Sequence, residues 1–124
     1  MSIKVLVSGS RDFSDHQMIY NALDEIYAQR PMSGMIVIHG TARGADTIAG
    51  VWAVARSDVS EVRVAADWAN DGKSAGPTRN RRMLELGPDI VLCFFQKSAK
   101  NIGTNQMFGM ATHDGFEVRR FDAD

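Results

Sequence analysis

A single cysteine, Cys93, leaves the chain no internal disulfide. Its place inside the apolar run 90–95 marks it as a small buried hydrophobe, and a reducing cytosol is the expected compartment. No apolar stretch approaches the roughly 20 residues that a bilayer span needs. The sequence opens on a strand pattern, with no signal-peptide layout. Charge of one sign is missing too: 14 basic and 15 acidic residues give a formal charge of −1. That balance excludes a general affinity for polyanions, although a local basic cluster can still grip one or two phosphates. No His, Cys or carboxylate group has metal-ligand spacing, so no metal is expected. No nucleophile has a recognisable base partner, and no cofactor is expected. The phosphate-loop pattern GxxxxGK[ST] is absent, and GTARGAD does not match GxGxxG.

What the chain does have is an ordinary globular composition. Its 124 residues are 44% hydrophobic and 23% charged, which suits one domain with a proper core. Short apolar runs alternate with segments of helical period. Ile3–Ser8 reads as a strand. Ser14 and Gln17 have capping-box spacing ahead of a helix whose buried face is Ile19, Ala22, Leu23, Ile26 and Tyr27. Met35–His39 is a second strand. A helix over about 44–56 follows, with Ala45, Ile48, Ala49, Trp52 and Ala55 as its stripe. Glu61–Ala65 is a short third strand, and Asp67–Ser74 a polar loop. Pro77 and the Gly87-Pro88 pair bracket a third helix. Ile90–Phe95, the most apolar run, is the candidate central strand. A fourth helix from about Thr104 to His113 precedes an edge strand over 116–121.

This β-α alternation predicts an α/β three-layer sandwich, with about five mainly parallel strands and helices on both faces. The expected strand order is 3-2-1-4-5. In such a sheet a ligand binds beyond the carboxyl ends of the strands, near the switch in order. Four loops meet that description, and their contents are unusual. The first, Ser8–Phe13, carries Gly9, Ser10 and Arg11. The second, His39–Asp46, carries Gly40, Thr41, Arg43 and Gly44 before a helix start, whose free amides and dipole favour an anion. The third runs into Gly72–Met83 and holds Asp67, Thr78, Arg79 and Asn80. An arginine in a first helical turn opposes the dipole, so Arg79 reads as an anion clamp; Arg81 and Arg82 read as surface. The fourth ends at Gly103-Thr104, again at a helix start. Trp68 has two readings, stacking on a base or filling a core or subunit contact. Asp46 likewise reads as a local backbone tether or as a catalytic carboxylate.

HGTARGADTIAGVWA, then ADW, GKSAGPTRNRRM and a late GT, together resemble the SLOG superfamily, in its YspA-like branch. The resemblance spans about residues 3–121. It extends to the Lonely Guy phosphoribohydrolases and to the Rossmann-like domain of DNA-processing protein A. It implies a Rossmann-like fold, a nucleotide or nucleotide-derived ligand, and homo-oligomers. It also sets Arg79 where the phosphoribohydrolases have their catalytic arginine, and Gly103-Thr104 where they bind phosphate. Their glutamate falls on Met107, which can neither stabilise an oxocarbenium ion nor activate water. A ligand-binding protein acting as a sensor or by sequestration is therefore the leading expectation. Alternatives are a phosphoribohydrolase using Arg79 with a relocated carboxylate, Asp46 or Asp67, and a nucleic-acid module. Near-neutral charge and the lack of a basic stripe argue against the last.

Overall fold

The computed structural model describes all 124 residues. Five strands, β1 (Ile3–Gly9), β2 (Met35–His39), β3 (Val59–Arg63), β4 (Ile90–Gln96) and β5 (Val118–Ala123), form one sheet in the order β3-β2-β1-β4-β5. Every neighbouring pair is parallel. The order is the expected one. The helices are α1 (His16–Ala28), α2 (Ala45–Val54), the single turn α3 (Trp68–Asp71), α4 (Ala75–Glu85) and α5 (Ile102–His113). No helix is long and apolar enough to cross a membrane.

Strand alternation splits the core between the two faces of the sheet. Val5, Val7, Leu92 and Phe94 point to one face, against α1 and α2. Leu6, Val91, Cys93 and Phe95 point to the other, against α4 and α5. Burying side chains of this size contributes roughly 1.5–3 kcal/mol each. All seven residues of β4 are buried, as a strand covered on both faces requires. Burial also pushes the Cys93 thiol up to about 12.

Several boundaries differ from the sequence reading, each for a local reason. The α1 cap is Asp15, whose carboxylate accepts from Met18 N–H at 3.1 Å. A carboxylate is a strong acceptor and adds favourable charge at the dipole. Gln17, left out of a capping box, donates to Asn21 Oδ1 one turn on. β3 lies two residues earlier than expected, because Val59 is the residue that pairs with Met35 and packs into the core. Residues expected as a loop include α3 and a 3₁₀ turn over Gly72–Ser74. Pro77 lies inside the first turn of α4, where its missing N–H costs nothing. In α2 it is Ala53 that joins the buried face, while Ala55 is exposed. α5 begins two residues early, and β5 begins and ends two residues late.

The switch in strand order lies between β1 and β4, which pair from Val5–Ile90 to Gly9–Phe94. A Cβ on Gly9 would collide with the Cβ of Ala45. Glycine there lets the start of α2 sit directly on the end of β1.

Candidate functional site

The four loops named from the sequence do converge at the carboxyl ends of the strands. After β1, the Ser10 carbonyl accepts from Phe13 N–H (3.1 Å) and Ala45 N–H (3.3 Å), and its hydroxyl accepts from Asp12 N–H at 3.1 Å. Ser10 is thus engaged in holding its loop, and Arg11 stands exposed beyond it.

The loop after β2 is held from below. Thr41 has a left-handed backbone, φ 64°. Its N–H donates to His39 Nδ1 at 3.1 Å, so the imidazole proton sits on Nε2 and is donated to Glu61 Oε2 at 2.5 Å. Asp46 reaches back from α2, and its Oδ2 accepts from Gly40 N–H (3.0 Å) and Ala42 N–H (3.2 Å). Oδ1 makes no bond, and since no fully buried polar side-chain atom lacks a partner, it opens on the crevice. Burial pushes the Asp46 carboxyl above its ordinary range, against the Ala42 amide, His39, Arg79 and the Gly40 amide. A carboxyl with a raised folded-state pKa keeps a proton that the unfolded chain has released. Stability therefore falls as pH rises from about 4, the ordinary carboxylate value, through the folded-state value. Asp46→Asn removes that loss. Its melting temperature relative to wild type is expected to climb as pH is raised through this window; parallel pH profiles would contradict the assignment.

Arg79 enters from the second turn of α4, not the first as the sequence reading placed it, because the helix begins at Ala75 rather than Pro77, and only part of it is exposed. Its Nη1 donates to the Gly40 carbonyl at 2.6 Å, and its Nε donates to Asn80 Oδ1 at 2.9 Å. Nη2 has no partner within the chain. Burial pulls the Arg79 pKa down, Asp46 opposes this, and the nearby Arg11 guanidinium lowers it further. Two arginines thus face a common space with one buried carboxylate beside them. Asn80 in turn donates to Gln106 Oε1 (3.0 Å) and the Gly103 carbonyl (3.3 Å), fastening α4 to α5. At the head of α5, Asn101 has φ 54° and ties the loop after β4 through Gln96 and Ala99. No side chain caps this helix. Thr104 is nearly buried, and its hydroxyl makes no bond within the chain.

These groups surround a crevice with two lobes of about 690 and 410 Å³. Arg11, Ala42, Trp68 and Arg79 belong to both lobes. Gly9, Ser10, Asp46, Asn80, Gly103 and Thr104 line the larger. Gly40, Thr41 and Arg43 line the smaller. Three of the residues singled out from the sequence line neither lobe. Gly44 shapes the backbone behind the wall. Asp67 caps α3, accepting from Asn70 N–H at 3.2 Å and Asn70 Nδ2 at 2.7 Å, and the Asn70 bonds hold its carboxyl below the usual range. Thr78 precedes Arg79 on α4 and faces elsewhere. Lys73, Lys100 and Asp12 line the larger lobe without having been singled out as binding residues. Their only sequence signal was their place on or beside the four loops. Met107 is fully buried in the core between α5 and the sheet, and Gln106 is the neighbouring residue that reaches the crevice. The carboxylates in the wall are Asp12 and Asp46.

Comparison with known proteins agrees with the motif reading. The Gene 61 protein of Mycobacterium phage D29 is 37% identical over 123 residues, covering 95% of each chain. No solved structure gives a significant match. A model described as "YspA, cpYpsA-related SLOG family" matches residues 3–70, which hold the first two loops of the crevice and Trp68. The chain belongs to that family, and membership points to binding or processing of nucleotide-related ligands.

Proposed function

We propose that this protein binds a nucleotide or nucleotide-derived molecule in the crevice, as a cytoplasmic sensor or sequestering protein. The observation that carries the reading is Arg79. Its guanidinium is fixed by two bonds, keeps Nη2 unpartnered and faces Arg11 across the ligand space. Such an arrangement is completed by an anion, and a guanidinium matches a phosphate with parallel hydrogen bonds. The uncapped head of α5 with the Thr104 hydroxyl, and Lys73 and Lys100 in the same wall, support a phosphate group there.

Binding without turnover fits the carboxylates better than hydrolysis does. Cleavage of an N-glycosidic bond needs a carboxylate at the ribose. Asp46 already accepts two loop amides, Asp12 is exposed, and α5 presents Gln106. The phosphoribohydrolase reading rests on the one free oxygen of Asp46. Incubation with nucleoside 5′-monophosphates is expected to release no free base, and release abolished by Arg79→Ala would establish that alternative. A nucleic acid is not the ligand proposed. Self-association is part of the proposal and is supported by Val51 and Val54, exposed together on the outer side of α2.

Mass spectrometry of small molecules released from natively purified protein tests the reading. A nucleotide-derived compound is expected, and that compound should raise the melting temperature of ligand-stripped protein by selective binding to the folded state. A stripped protein whose melting temperature no nucleotide shifts would contradict it.

A further inference from the structure

Trp68 is the one aromatic side chain in the wall of the crevice, and it borders both lobes. The chain has two tryptophans, and they differ sharply. Trp52 is 1% exposed and donates its indole N–H to Asp24 Oδ1 at 2.9 Å. Trp68 is 53% exposed and its indole N–H has no partner in the chain. It therefore does not serve the core. Its position is nonetheless well defined. Asp67 caps the single turn that carries it, and the turn closes with Gly72 N–H donating to the Trp68 carbonyl. Gly76 lies beside the ring: a Cβ there would be 3.7 Å from Cη2, so the start of α4 packs within van der Waals reach of the indole. Around it the smaller lobe is walled by Ala42, Ala65 and Ala66 and by Gly40, Thr41 and Arg43, with Arg11 and Arg79 at its junction with the larger lobe. A flat apolar surface among small side chains, next to cations, matches a ligand with an aromatic ring at one end and negative charge at the other.

Resting on the nucleotide reading, we propose that Trp68 is the base platform of this site. The base stacks on the indole in the smaller lobe, and the phosphate end lies toward Arg79 and the head of α5 in the larger. Every base offers a π-face, so this contact selects nucleotides over abasic sugar phosphates more than one base over another. Trp68 is thus a specificity-determining residue, and the ligand class is a nucleotide whose base is free to stack.

The indole is its own reporter, because the other tryptophan is buried away from the crevice. Tryptophan emission and calorimetry are followed in parallel on the full chain, with AMP, GMP, CMP, UMP and ribose 5-phosphate as probes. Nucleotides are expected to quench the emission, and ribose 5-phosphate to bind more weakly and leave it unchanged. Trp68→Ala is expected to lower nucleotide affinity roughly ten-fold or more, with ribose 5-phosphate affinity unaltered, and Trp68→Phe to restore most of the loss. Being exposed, the position tolerates both changes without loss of the fold. Nucleotides that bind wild type without changing its emission, and Trp68→Ala equally well, would overturn the platform and leave the nucleotide reading standing. So would a Trp68→Ala protein with normal affinity and an altered assembly state in sedimentation, which would mark a subunit contact. Failure of every probe to bind would remove both.

Discussion

Replacing Arg79 with alanine is expected to weaken nucleotide binding roughly a hundred-fold and to leave the chain folded. The size follows from what the guanidinium does. A hydrogen bond to a charged group is worth about 1.5–3 kcal/mol, and truncating one partner of a desolvated charge pair costs about 2–5 kcal/mol. Arg79 is partly buried and pre-oriented by Gly40 and Asn80, so little ordering cost remains to be met on binding. Arg79→Lys is expected to recover only a small part, because an ammonium is a point charge without the planar fork. The fold should survive, since the variant gives up two polar contacts but also relieves the approach of Arg79 to Arg11. Calorimetric titration with a nucleotide that binds wild type reads the effect. An affinity within three-fold of wild type, roughly 0.65 kcal/mol or less, would show that the anion is held elsewhere.

The second large effect is on stability. Gly44→Ala is expected to cost about 3 kcal/mol or more, and so to lower the melting temperature by roughly 10 °C or more. Gly44 has φ 79° and ψ −127°, a region that L side chains rarely adopt. The added Cβ would also press on two backbone carbonyl oxygens, those of Ser10 and Arg11. Backbone cannot swing aside as a side chain can, so either the first loop or the start of α2 must move. Both carry the crevice. Gly109→Ala is the control, because the new methyl meets nothing within 4 Å in the body of α5. It is expected to be neutral or slightly stabilising. Thermal unfolding of the two variants side by side decides the matter, and equal melting temperatures would refute the steric account.

Much of this architecture was legible in the sequence because its signals are periodic. Ile19, Ala22, Leu23 and Ile26 recur at helical spacing and are the buried residues of α1. The run 90–95 is apolar throughout because β4 is covered on both faces. Crossover length and the rule for parallel connections then imply a parallel sheet; the order of its strands is settled by the pairing. Signals without a period were harder to read. α3 is one turn long, too short for any moment, and its clue is a cap, Asp67 with Asn70, rather than a stripe. β3 is an edge strand whose register depends on the pairing of Val59 with Met35, a tertiary fact.

The crevice shows the same division. Its backbone was readable, since glycines next to helix starts mark where a chain turns beneath a ligand. The direction of loop side chains is not, so the sequence does not reveal that Lys73 and Lys100 line the larger lobe while Thr78 does not. Asp46 illustrates a residue with two readings. The bonds to Gly40 and Ala42 assign its Oδ2 to the loop, and only Oδ1 is left facing the crevice. At Met107 the motif comparison and the packing agree that no carboxylate stands there, but only packing shows the reason: the side chain belongs to the core.

The meeting of one guanidinium with the amides at the uncapped head of α5 can be observed directly by NMR of the labelled protein titrated with nucleoside 5′-monophosphates. Shifts are predicted for the amides of residues 102–104 together with the side-chain Nε–H of Arg79, saturating in a single binding event. Shifts scattered over the outer faces of the helices, or an Arg79 signal that stays in place while others move, would contradict the account.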